Sequence, residues 1–357
     1  MLAGFARTLP FSVSPKDLLT PRMAALLERI ARANRPGFET MTPAGARAAY
    51  TAAAEVLEPP RAPLARVEEM ALPGADGAAL PARLYAPSHD VLPVLLYLHG
   101  GGFTIGNLET HDSLCRQLAL RSGAAVVALD YRLAPEHRFP AAVDDCWAAL
   151  RSLAEAATGA RLGLDTTRLA VGGDSAGGTL SAVCALLARD AGLALALQVL
   201  ITPGTIAHAD TPSHARFAHG FLLEKKQVDW FFDTYLAAAD RTDWRFAPAL
   251  AADHEGVAPA CIVAAECDAL VDEDIAYGDL LRAAGVAVDL GPAHAQRVGE
   301  TEIGAVHSKA FLRASAMACR ACAASGSTRP ILMKSCVTPR QISRSTATPA
   351  CGWRCRC

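Results

Sequence analysis

Short apolar runs alternate along this chain with longer stretches of helical periodicity. The runs at 94–98, 124–129, 169–172, 195–201, 260–265 and 286–290 are too short for helices and are expected to be buried strands. Between them, 112–122, 140–157, 177–190 and 272–284 carry apolar residues at helical spacing. Two further strand candidates, 67–72 and 80–85, flank Pro73-Gly74-Ala75-Asp76-Gly77, a hairpin signal. Strands alternating with helices predict an α/β protein with a mostly parallel, doubly wound, eight-stranded sheet flanked by helices. In such sheets ligands bind beyond the C-terminal ends of the strands.

Two segments stand outside that alternation. Residues 15–57 carry helical periodicity broken at Arg35-Pro36-Gly37, and Pro59, Pro60 and Pro63 mark a linker after them. Residues 203–250 interrupt the strand–helix order. Within them 224–236 form an amphipathic helix rich in aromatics: Trp230, Phe231, Phe232 and Tyr235, with Val228. A helix inserted between two strands suits a cover whose rings line a pocket, and the same rings equally suit packing onto the sheet. The expected organisation is an N-terminal helical segment at 1–60, a core at 61–320 with an insertion at 203–250, and a basic, Cys-rich tail at 321–357.

The chemistry concentrates at strand ends. The run 168–172 leads into Gly173-Asp174-Ser175-Ala176-Gly177-Gly178, followed by a helical stretch. Strand, tight turn and helix are the context that makes G-x-S-x-G a nucleophile elbow. A serine hydroxyl is a weak nucleophile and must stand where a base can reach it. The Ala176 N–H then lies at a helix N-terminus, placed to face a developing oxyanion. The strand at 94–98 ends in His99-Gly100-Gly101-Gly102-Phe103. Its glycines leave the Gly101 and Gly102 amides unshielded, as a main-chain oxyanion hole requires. No G-x-x-x-x-G-K-[ST] follows, which removes the phosphate-loop alternative.

These blocks resemble the hormone-sensitive-lipase-like carboxylesterases of the α/β-hydrolase fold. The resemblance covers roughly 15–290. It rests on HGGGF at 99–103, with Ile105-Gly106-Asn107 and Thr110-His111-Asp112 behind it. It rests also on 130–137 (DYRLAPEH), 139–142 (FPAA), GDSAGG at 173–178, and 266–273 (ECDALVDE). It implies a helical cap built partly from the N-terminal helices, activity on short- to medium-chain acyl esters, and a homodimer formed through the last strand and helix.

An elbow serine needs a histidine, and the histidine needs an acid to orient it, in the chain order Ser, acid, His. Asp268 lies just past the strand at 260–265, on the catalytic edge. Asp272 and Glu273 begin the next helix, where acids suit the N-terminus as caps. Two histidines follow Asp268. His307 has the local context that the resembling family places around its base but sits late in the chain. His294 sits near the family's separation without that context. Both stay open, with His307 preferred.

Composition narrows the remaining classes. The chain has 357 residues, 52% of them apolar, and a formal charge of −2, so nothing points to nucleic acid or a polybasic membrane surface. No apolar run is long enough for a membrane span, and the N-terminus lacks a signal-type apolar region, so a cytoplasmic protein is expected. No Asp or Glu follows Glu302, while Arg320, Arg329, Arg340, Arg344, Arg354 and Arg356 do. That end suits a disordered basic tail, or an end not selected to fold. Cys319, Cys322, Cys351, Cys355 and Cys357 are too scattered for a zinc site. The expectation is a Ser175–His307–Asp268 hydrolase of small carboxylic esters (His294 the alternative base), with oxyanion donors at Gly101, Gly102 and Ala176 and no metal or cofactor. The alternatives are a small-ligand-binding protein on the same scaffold, or an amide or lactone hydrolase.

Overall fold

A computed structural model describes residues 15–293 of the chain. His294, His307 and the tail at 321–357 lie outside the described residues. The strands are β1 (Arg66–Pro73), β2 (Ala79–Ala86), β3 (Leu92–Leu98), β4 (Ala125–Leu129), β5 (Leu164–Asp174), β6 (Leu197–Ile201), β7 (Ala260–Ala265) and β8 (Val288–Ala293). They form one sheet in the order β1-β2-β4-β3-β5-β6-β7-β8. β1 and β2 form the expected antiparallel hairpin, β2 runs antiparallel to β4, and the rest of the sheet is parallel.

The helices are α1 (Pro21–Ala33), α2 (Pro43–Leu57), α3 (Asp112–Ser122), α4 (Ala141–Ala154), α5 (Ala156–Leu162), α6 (Ala176–Asp190), α7 (Pro212–Arg216), α8 (Lys225–Tyr235) and α9 (Val271–Ala283). α1, α2 and α7 share a start signal. A threonine caps an N–H three residues on, and proline occupies the first helical position, where no N–H is needed. α3 stops where Gly123 takes a left-handed conformation (φ 68°).

Apolar runs become strands here because both faces of the sheet are covered. On β3, Val94, Leu96 and Leu98 enter the core shared with α4 and α6. Leu95 and Tyr97 enter a second core with Leu114 and Leu118 of α3. β3 therefore has no polar face to show as alternation.

Two boundaries differ most from the sequence reading. The stretch expected as one helix at 140–157 is broken at Glu155, whose ψ of 132° is extended, and α5 follows. β5 starts at Leu164, ahead of the apolar run. It pairs Leu92 with Leu164, and a register shift then brings Val94 opposite Leu169. The polar residues between them hid this first part of the strand.

Candidate functional site

The site lies at the C-terminal ends of the parallel strands β3, β5 and β7, with β6 between the last two. β5 ends at Asp174 and turns into α6 through Ser175, whose backbone has φ 51° and ψ −121°. A non-glycine residue is strained there, and such strain persists only where the surroundings impose it. Here they do. The Ser175 N–H donates to the Ile201 carbonyl at 2.8 Å, and the Ser175 carbonyl accepts the Thr179 N–H at 2.9 Å. Gly177 has no room for a side chain, because a Cβ would run into the Leu98 carbonyl. The elbow is thus wedged against the end of β3, and Ala176 opens α6 with its N–H at the positive end of the helix.

The loop after β3 takes three successive left-handed residues: Gly101 (φ 121°), Gly102 (φ 57°) and Phe103 (φ 59°). The Gly101 carbonyl accepts the N–H groups of Thr104 (3.1 Å) and Ile105 (2.9 Å), which closes the turn. Phe103 stacks on Tyr235 of α8 with centroids 4.1 Å apart and planes 9° apart. The Phe231 ring of α8 fills the place of a Gly102 Cβ. From the other side, Arg47 of α2 donates to the carbonyls of Thr104 (2.8 Å) and Ala134 (2.7 Å) and pairs with Glu136 at 2.6 Å. The segments outside the sheet therefore fix the loop's conformation.

Asp268 follows β7 and accepts the Leu270 N–H at 2.9 Å. Burial pushes its carboxyl above the ordinary range, and the N–H groups of Leu270 and Ala269 offset only part of that. The neighbouring acids do not cap α9, contrary to the sequence expectation. Asp272 accepts the Ser213 N–H at 2.8 Å. Glu273 turns inward to the N–H groups of Thr205 and Ile206. They tie down the chain after β6 because the tertiary fold lays its unpaired amides against the start of α9.

Ser175, Ala176, Gly101, Gly102 and Asp268 border one cavity of about 270 Å³. Phe38 and Tyr50 from the N-terminal segment and Leu222, Phe231 and Phe232 from the insertion supply its apolar wall. The aromatic helix thus divides its rings. Val228, Phe231 and Phe232 face the cavity, while Tyr235 packs below against Phe103. The sequence reading missed the polar part of the wall, made by His208, His214 and Glu273. His214 lies 3.5 Å from Glu273. Burial pulls the imidazole below its usual value and pushes the Glu273 carboxyl up to about 8, so burial disfavours the charged form of both groups. No periodicity or motif marks these residues. Among the described residues no group of three or more His, Cys, Asp or Glu is placed to hold a metal ion.

A family model described as the alpha/beta hydrolase fold matches residues 95–296. The chain is 46% identical over 231 residues to ethyl acetate hydrolase of Pseudomonas putida, covering 63% of this chain and 72% of that protein. It is 47% identical over 232 residues to the carboxylic ester hydrolase LipN of Mycobacterium tuberculosis, covering 63% of this chain and 61% of that one. Among solved structures, an ester hydrolase from the metagenome of Lake Arreo, complexed with a bipyridine phosphonate derivative, superposes with a TM-score of 0.75. That match has 38% identity and covers 86% of this chain and 99% of the other.

Proposed function

We propose a mechanism from one premise: the chain belongs to the hormone-sensitive-lipase-like carboxylesterases of the α/β-hydrolase fold, and its reaction is hydrolysis of carboxylic esters. Ser175 Oγ attacks the ester carbonyl. A histidine following Asp268, His307 or alternatively His294, takes the serine proton and passes it to the leaving alcohol. Asp268 holds that histidine in the required tautomer. The N–H groups of Gly101, Gly102 and Ala176 receive the oxyanion. Water then attacks the acyl-enzyme, the same histidine acting as base, and the acid leaves Ser175 free.

The observation that carries this reading is the strained Ser175 elbow, which borders the same apolar cavity as the glycine loop and Asp268. The cavity's volume of about 270 Å³ and its apolar wall suit a small acyl ester, the reading taken here being short- to medium-chain acyl esters. Residues 1–60 and 203–250 act as the cap, a reading supported by their rings in the cavity wall. No helix among the described residues is long and apolar enough to cross a membrane. A cytoplasmic location and a homodimer complete the proposal.

The test is hydrolysis of p-nitrophenyl butyrate by the parent chain, Ser175→Ala, His307→Ala and His294→Ala. Turnover in the parent, lost in Ser175→Ala and in one folded histidine variant, is expected and names the base. A folded parent without turnover overturns the esterase assignment and favours a ligand-binding role for the pocket.

A further inference from the structure

The mechanism above leaves Asp174, the residue before the nucleophile, without a part. Its backbone ends β5, and its carboxylate reaches under the end of β3. Oδ1 accepts the Tyr97 hydroxyl at 2.6 Å and the Gly100 N–H at 3.0 Å. The carboxylate occupies the space that a Cβ on Gly100 would need, which is a steric reason for the first glycine of the loop. One side chain thus joins the nucleophile's strand to the amide that begins the oxyanion loop.

His111, buried at the start of α3, meets the same carboxylate with Nε2 3.2 Å from Oδ1. Its other nitrogen, Nδ1, lies 2.8 Å from Thr110 Oγ1. The hydrogen bonds around it bear on its protonation. The Thr110 hydroxyl has one hydrogen, and it donates to the Asn107 carbonyl at 2.8 Å while accepting the Asn107 N–H at 3.0 Å. With that hydrogen on the Asn107 carbonyl the hydroxyl accepts from Nδ1–H, whereas a hydroxyl turned to Nδ1 would leave the ring neutral. Nε2 faces a carboxylate, so it carries a proton. In the first arrangement both ring nitrogens carry protons and the ring is an imidazolium.

We propose that Asp174 and His111 form a buried carboxylate–imidazolium pair that positions the oxyanion loop against Ser175. The proposal rests on the esterase reading and deepens it: Asp174 borders the cavity beside Ser175, and the pair acts through the loop it holds rather than on the reacting atoms. Asp174 holds the Gly100 amide, and Gly101 and Gly102 inherit their direction from it. His111 compensates the buried charge and links it to the Thr110–Asn107 turn, which Thr51 of α2 closes at 3.1 Å from the Asn107 side-chain amide.

Charges around the pair agree with this. The groups facing His111 are Asp174 from β5, Tyr97 and His99 at the end of β3, Tyr50 of α2 and Glu58 beyond it. Asp112, the next residue, is instead engaged with Arg83 (3.0 Å) and Arg116 (2.6 Å). Burial alone pulls the imidazole down. The charge and hydrogen bond of Asp174, with Glu58, more than offset that, which raises the imidazole above its ordinary value.

Two measurements test the pair. The first is ¹⁵N NMR of histidine-labelled parent chain at pH 7.5, with His111 assigned by its loss in His111→Gln. Both ring nitrogens with protonated-type shifts are expected, and a neutral single tautomer overturns the proposal. This reading needs neither turnover nor a variant at Asp174. The second is kinetic. In Asp174→Asn, which keeps an acceptor for Gly100 but removes the charge, kcat is expected to fall about 10- to 100-fold, as for an active-site displacement of about 1 Å. KM should change less than about threefold, because the loop acts mainly on the transition state. Asp174→Ala should lose more, and a folded Asp174→Asn with parental kcat overturns the positioning role. Parent and Ser175→Ala run alongside: a parent without turnover sinks the esterase reading, and the NMR result still decides the pair.

Discussion

Replacing Gly102 by alanine tests how the cover and the oxyanion loop act together. Gly102 has φ 57°, and an added Cβ would meet the Phe231 ring of α8. The left-handed backbone costs an alanine roughly 1–2 kcal/mol. Phe231 is 8% exposed and cannot simply move into solvent, so overpacking adds about 1–3 kcal/mol. The midpoint of thermal unfolding should drop by about 1–2 °C for each kcal/mol lost. If the strain is relieved by turning the loop, the Gly102 N–H leaves its direction, and losing one oxyanion donor costs about 10²–10³ in kcat. The assay is p-nitrophenyl butyrate kinetics with a melting curve, on Gly102→Ala, Phe231→Ala and the double variant. Removing the ring should return at least part of kcat to Gly102→Ala, because the clash disappears while the backbone cost stays. A Gly102→Ala protein with parental kcat and melting point would refute the reasoning. So would a double variant no better than Gly102→Ala, since the ring would then not be the obstacle.

Other substitutions separate function from stability. Tyr235 is buried, its hydroxyl has no hydrogen-bond partner among the described residues, and its ring stacks on Phe103. Tyr235→Phe should therefore keep kcat and gain about 1 kcal/mol, and a loss of that size in urea unfolding would reveal a hydroxyl partner. Asp145 is fully buried and chelates the Arg132 guanidinium at 2.7 and 2.8 Å. Asp145→Ala should cost about 3 kcal/mol in denaturant unfolding, and a change under 1 kcal/mol would contradict the pair's importance. Burial first, with the Asp268 charge adding to it, raises Glu273 to about 8 against the Thr205 and Ile206 amides. The folded state therefore holds this proton more tightly than the unfolded chain does. Its contribution is complete below the ordinary carboxylate range and is lost as pH rises through about 8. The parent's melting point should fall across that window, and Glu273→Gln should flatten the fall; identical profiles would remove Glu273 as its source.

By itself, the sequence determined the sheet and two corners of the site. Buried parallel strands have no polar face, so 94–98 and 260–265 stand out as apolar runs. The elbow and the glycine loop are equally legible. Their constraints are local and steric, and few residues besides glycine satisfy them at Gly101, Gly102 and Gly177. Asp268 could be placed because a residue just past a parallel strand must lie on the binding edge. Only the tertiary structure decided which acids around α9 point where. Asp272 and Glu273 have the same helix-start signature as caps, yet their partners, Ser213 and Thr205, lie far away in the chain. The same holds for His208 and His214 in the cavity wall, for Arg47 clamping the loop, and for Asp174 meeting His111. These contacts join segments that no period or spacing connects, and their energies depend on burial that exists only once the sheet has assembled and the outer helices have closed over it.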